Sequence, residues 1–159
     1  MNVAQLSDEH LAILRDESGI DEATIVARGY RTINNESEWI ALGIHGFNQG
    51  QRRFPALLLP LHGVDGQNGR YMLRPDHPRV IEENTKERMP DGAYLKRNRV
   101  IKYESQTDMP AVIDCPPLCR QHIGDPAIPL YVTEAQKKAD AMAARGLCAI
   151  ALQGVWNFK

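Results

Sequence analysis

The stretch Leu130-Tyr131-Val132-Thr133-Glu134-Ala135-Gln136-Lys137-Lys138-Ala139-Asp140-Ala141-Met142-Ala143-Ala144-Arg145-Gly146, followed by Leu147-Cys148-Ala149-Ile150-Ala151-Leu152, decides the fold. Ile128 to Val132 is a short apolar run. Thr133 and Gln136 then have the spacing of a Thr-x-x-Gln capping box, which predicts a helix running to Arg145 and closed by Gly146. Ala135, Ala139, Met142 and Ala143 share one face of that helix, and such small side chains suit close packing on a sheet. The Leu147 to Leu152 run is continuously apolar, as a parallel strand buried on both sides should be. Strand, helix and strand therefore predict a βαβ unit whose two parallel strands are buried on both sides.

Reading back from this unit, Cys115 to Pro129 is a proline-rich connector, preceded by a short apolar run at Ala111-Val112-Ile113. Phe54-Pro55-Ala56-Leu57-Leu58-Leu59-Pro60-Leu61 predicts a buried strand around Ala56 to Leu59, fenced by prolines. His62 to Gly69 is dense in turn residues, and Arg70-Tyr71-Met72-Leu73-Arg74 alternates like a half-buried return strand, which makes an antiparallel hairpin. Residues 76–99 are almost wholly polar and predict a mobile insertion rather than a packed element; order resumes at Val100-Ile101-Lys102-Tyr103. At the amino end, Ser7 caps a helix with Leu6, Leu11 and Leu14 as its apolar stripe, stopping near Ser18-Gly19. Asp21 caps a second helix, with Ile20 and Ile25 at staple spacing and Gly29 as its left-handed end. Tyr30 to Ile33 predicts a short strand and Glu36 to Leu42 a third helix. The expectation is an α/β chain in three parts: a small helical part (1–53), a central antiparallel hairpin region (54–129, with the polar insertion 76–99), and a carboxyl-terminal βαβ (130–159).

The whole chain has 159 residues, 43% apolar and 25% charged, enough for one compact domain. Its net charge of −1 gives no global positive field, so a polyanionic partner must be met by a local patch. No apolar run reaches the roughly 18–20 residues of a membrane span, and MNVAQLSDEH lacks the layout of a secretory signal. With three cysteines, too few for a disulfide framework, this predicts a soluble cytoplasmic protein.

The stretch 130–146 resembles the first motif of the Toprim fold of bacterial replicative primases and topoisomerases: an apolar strand, Glu-Gly, a helix, and Gly before the next strand. Upstream, Pro60-Leu61-His62-Gly63-Val64-Asp65-Gly66, Gly69-Arg70-Tyr71-Met72-Leu73-Arg74 and Ile101-Lys102-Tyr103 resemble the hairpin preceding Toprim in those primases. The chain is most similar to the Toprim-like domains of phage and mobile-element primases, whose motif reads Thr-Glu-Gly, two residues, Lys-Ala-Asp-Ala. The resemblance runs from Leu6 to Trp156. It implies half of a Toprim domain, a catalytic role for Glu134 in nucleotidyl transfer, and Mg²⁺ held by Glu134 with a later Asp-x-Asp pair. Up to Lys159 no such pair follows, Ala135 stands where the motif has Gly, and Lys138 where many primases have an acid.

Read from position alone, Glu134 at a strand-to-helix junction either holds a metal or moves a proton, or stabilises its own helix as a first-turn acid. Arg52, Arg53, Arg70, Arg74, Arg97, Arg99 and Lys102 are candidates for a groove along a phosphate backbone, with Tyr71 and Tyr103 as stacking surfaces; the resemblance favours Arg74 and Lys102. The alternative is solvated loop and strand faces. Cys115, Cys119, His122 and Cys148 make a poor zinc pattern, with two prolines inside the loop and no second Cys-x2-Cys. No Walker loop, Gly-x-Ser-x-Gly elbow or His-Glu-x-x-His occurs. Two functions follow as expectations. One is a catalytically incomplete primase-like module of a phage or mobile element that binds single-stranded nucleic acid or a protein partner, as a replication accessory or inhibitor. The other is a fragment or subunit of a primase-type nucleotidyltransferase using Glu134 and Mg²⁺. The final strand, with an open side, is expected to invite a homo-oligomer or another subunit.

Overall fold

A computed structural model describes residues 5–66, 68–107 and 109–153 of the chain. Gln67 in the hairpin turn and Trp156 at the end of the resemblance lie outside the described residues. The amino-terminal helices form where local chemistry requires. Ser7 caps α1 (Asp8–Ala12), its side chain accepting from the His10 N–H, and the chain continues through one π-helical turn, Ile13–Glu17. Asp21 caps α2 (Glu22–Arg28), which Gly29 ends at φ 81°, a left-handed conformation glycine adopts without steric cost. Asn35 caps α3 (Glu36–Ala41).

Four strands make the central sheet, in the order β1-β2-β3-β6: β1 (Arg31–Ile33), β2 (Ala56–Leu61), β3 (Arg70–Pro75) and β6 (Glu104–Ser105). All neighbouring pairs are antiparallel, with Leu58 facing Leu73 across the β2–β3 hairpin and Leu73 facing Glu104 on its other side. The alternation of β2 sends Leu57 and Leu59 into a core with Leu14, Ile20, Ile25 and Tyr30, and Ala56 and Leu58 into a second core with Ile33, Trp39, Ile44 and Leu73. The hairpin is thus sandwiched between the first two helices and α3.

Residues 76–99 depart from the expectation of a structureless insertion. They contribute most of an antiparallel two-stranded ribbon, β4 (Arg79–Arg88) and β5 (Tyr94–Ile101), paired with no other strand among the described residues. Polar residues build it because cross-strand ion pairs replace a packed face: Lys96 lies 2.5 Å from Glu82, and Arg97 2.6 Å from Glu83.

The carboxyl-terminal unit is the expected βαβ: β8 (Leu130–Thr133), α4 (Gln136–Ala143) and β9 (Cys148–Leu152), with β8 and β9 parallel. Three details differ. The capping box does not form: Thr133 stays in the strand, paired with Ala151, so α4 starts after Ala135 with no side-chain cap and ends at Ala143, short of Arg145. The final strand is not the open edge either. β7 (Ile113–Asp114) pairs antiparallel with β9, giving the order β7-β9-β8, and Cys119 Sγ accepts from the Ala149 N–H on that side. The open edge therefore belongs to β8, which is not buried on both sides as expected; Leu130, Tyr131 and Val132 are exposed, the last by 61%.

Candidate functional site

A cleft of about 650 Å³ opens between the central sheet and the βαβ unit. Leu59, Leu61, Met72 and Tyr103 line it from the central sheet and its flank, and Glu134 to Lys137 from the start of α4. Arg70 and Gln106 stand at its rim. Gln106 is held in place by the Tyr71 N–H and the His45 carbonyl, and Arg70 Nη1 donates to the Pro110 carbonyl at 3.3 Å. Buried Gln136 turns its amide onto the Met72 sulfur, joining the two walls.

Glu134 follows the carboxyl end of β8, the edge at which open α/β sheets present ligand-binding residues. Its side chain is 63% exposed and forms an i, i+4 ion pair with Lys138. That hydrogen bond, followed by the lysine's charge, holds the Glu134 carboxyl below its usual range. Among the described residues lining the cleft, Glu134 is the one carboxylate, and among all described residues no three His, Cys, Asp or Glu side chains are grouped to hold a metal. Mg²⁺ wants several oxygen ligands, and one lysine-paired carboxylate does not fit that ion unaided.

The cationic candidates do not share one groove. Arg70 is at the cleft. Arg74 closes the other end of β3, next to Lys102, which just precedes β6, and exposed Arg53 enters the same end ahead of β2. Arg52 is paired with Glu36. Arg97 and Arg99 stand on the ribbon, both on Glu83. Tyr71 is half-buried against the second core and Tyr103 against the first. Cys115, Cys119 and Cys148 gather in an apolar cluster with Ile123, Ile128 and Ile150, where burial pushes the Cys115 thiol up to about 11. The His122 ring meets Gln121 instead.

A buried ionic cluster beneath the cleft went unread in the sequence. Arg28, fully buried at the end of α2, places Nη2 2.6 Å from Asp140 Oδ1 on α4 and Nη1 2.5 Å from Asp114 Oδ1 on β7. Tyr30 Oη donates to Asp140 at 2.6 Å, and the His62 N–H to Asp114 at 2.8 Å. Three elements far apart in sequence, α2, β7 and α4, meet on one guanidinium. Burial alone would lower the Arg28 pKa, but Asp140 and Asp114 more than offset it and keep the group charged. Burial, opposed by Arg28, leaves the Asp140 carboxyl above its usual range. The one available signal was Asp140 itself, an acid beside Ala139 on the face of α4 expected to pack.

Comparison with known proteins fits this geometry. A family described as a domain of unknown function (DUF3854) matches residues 120–159. No curated protein sequence matches the chain. Among solved structures, the RNA polymerase domain of Mycobacterium tuberculosis primase DnaG is similar at 18% identity and TM-score 0.51, over 91% of this chain and 50% of that one. A DnaG catalytic core is similar at 14% identity and TM-score 0.54, over 91% and 47%. A DnaG primase catalytic domain bound to ssDNA is similar at 15% identity and TM-score 0.50, over 91% and 48%. The chain spans about half the length of these structures. At such identities the likeness is one of fold, and the chain has the α/β fold of the corresponding half of a Toprim-containing primase core.

Proposed function

We propose that this chain is a primase-like module that binds single-stranded nucleic acid at the cleft and does not complete nucleotidyl transfer by itself, serving a phage or mobile element as a replication accessory or inhibitor. The cleft carries the reading: an apolar floor of Leu59, Met72 and Tyr103 suits the face of a base, while Arg70 and Lys137 at its sides suit phosphate. Arg53, Arg74 and Lys102 make a separate cationic patch at the far end of β3, which a strand leaving the cleft along the central sheet would meet, while Arg52 is already paired with Glu36. The similar DnaG domain bound to ssDNA supports the same class of ligand. Glu134 is the one carboxylate among the described residues lining the cleft, on its α4 wall, and any Mg²⁺ there needs further carboxylates.

A second reading is favoured by one observation, that the chain spans about half of each matched core. In it, the chain is a fragment or subunit of a primase-type nucleotidyltransferase, and Glu134 works beside carboxylates contributed by the other half.

Fluorescence anisotropy with a labelled oligothymidylate, across a salt series, tests the binding. Affinity is expected to be weak and to fall steeply with salt, and Arg74→Ala with Lys102→Ala to flatten the salt slope by about one to two units. Absence of binding at low salt rejects the nucleic-acid reading in favour of a protein partner. Metal-dependent transfer by the pure chain that vanishes in Glu134→Gln overturns the claim of incompleteness.

A further inference from the structure

We propose that the β4–β5 ribbon is a second nucleic-acid docking element, an arm that holds phosphates outside the cleft and lengthens the binding site. The proposal deepens the single-strand reading above and rests on it.

A two-stranded ribbon without a third strand or a helix behind it is marginal in water. This one pairs with no other strand among the described residues. It is tied at its base by Arg79, whose Nε lies 2.5 Å from the buried Glu104 carboxylate, and otherwise by the main-chain ladder and the ion pairs between its own strands. An arm so held gains most from a partner that lies along it.

The charge of the arm names that partner. Residues 79–101 hold six Lys and Arg against four Asp and Glu, in a chain of net charge −1, so the positive surplus is concentrated on the ribbon. β5 carries Lys96, Arg97 and Arg99 and no acid, and every residue from Tyr94 to Val100 is exposed. Arg97 and Arg99 alternate along the strand, so they share a face about 6.7 Å apart, a step comparable to successive phosphates of an extended strand. Near the turn, Arg88 lies over the Tyr94 ring at 4.5 Å, which places a cation and an aromatic face together. Such a surface suits a sequence-tolerant polyanionic backbone.

Glu83 sets the strength of the arm. One carboxylate serves both arginines, Arg97 at 2.6 Å and Arg99 at 3.3 Å. It cancels one of their two charges and occupies N–H donors that a phosphate would take. Phosphate binding therefore competes with Glu83, and removing its charge strengthens the arm.

The test compares a short oligothymidylate that fills only the cleft with one several times longer, using the full chain and anisotropy at low salt. The longer oligomer is expected to bind more than tenfold tighter. Arg97→Ala with Arg99→Ala should remove that gain, flatten its salt slope by about 1.4 at roughly 0.7 per single-strand contact, and leave the short oligomer unchanged. Glu83→Gln should tighten the longer oligomer severalfold. Arg97 and Arg99 are exposed and Glu83 is half-buried, and circular dichroism checks that the variants stay folded. A longer oligomer that gains nothing, a gain that survives loss of both arginines, or a Glu83→Gln variant that binds no tighter would overturn the arm. Binding of the long oligomer that depends on Arg97 and Arg99, with none of the short one, leaves the arm standing and removes the cleft reading instead. Binding of neither overturns both.

Discussion

Arg28→Met is expected to cost about 3–5 kcal/mol of folding stability, the range for removing one partner of a buried ion pair. The loss comes from what remains: Asp114 and Asp140, both fully buried, would face each other with no counter-ion. Asp140→Asn should cost much less, because it leaves a neutral Arg28–Asp114 pair and an amide near Tyr30. Urea denaturation of the two variants checks the order; an Arg28→Met variant as stable as Asp140→Asn would show that the cluster is not held by charge. The pH dependence has a definite sign. Burial raises the Asp140 carboxyl above its ordinary value of 3.8. A carboxyl so raised contributes stability that is full below its ordinary value and is lost as pH climbs through the raised one. The share of wild-type stability due to Asp140 should therefore decline from acid toward neutral pH, and Asp140→Asn should lack that decline.

Trp39→Ala should remove about 3–5 kcal/mol, as large-to-small changes of buried aromatics do. Trp39 is 2% exposed. Its ring meets Phe47 edge-on at 5.2 Å between centroids and Phe54 at 6.0 Å, so it pins both α3 and the loop leading into β2. A helix of six residues has too few internal bonds to persist by propensity; without the ring only Leu42 and the Glu36–Arg52 ion pair hold it on the sheet. Chemical denaturation followed by far-ultraviolet circular dichroism measures the loss, and a cost below about 1 kcal/mol would mean that the site collapses around the cavity.

These two sites mark where sequence and tertiary structure divide the work. The sequence by itself determined the elements whose causes are local: the Ser7 and Asp21 caps, the stop at Gly29, the β2–β3 hairpin with its alternating faces, and the βαβ around Glu134. Each rests on contacts within a few residues or on a periodicity of two or 3.6, which a single chain displays directly. Tertiary structure decided the rest. Thr133 was expected to cap the helix, and pairing with Ala151 made it a strand residue instead. The polar segment 76–99 has no apolar alternation to reveal a strand; its order comes from charges meeting across the ribbon. The edge of the third sheet passed from β9 to β8 because Ile113 and Asp114 return from a distant part of the chain. Arg28 drew no expectation, since nothing in α2 shows that acids 86 and 112 residues away converge on it. Long-range ionic contacts leave no period in the sequence, and the cleft with Glu134 on one wall and Arg70 on the other exists only once they have formed.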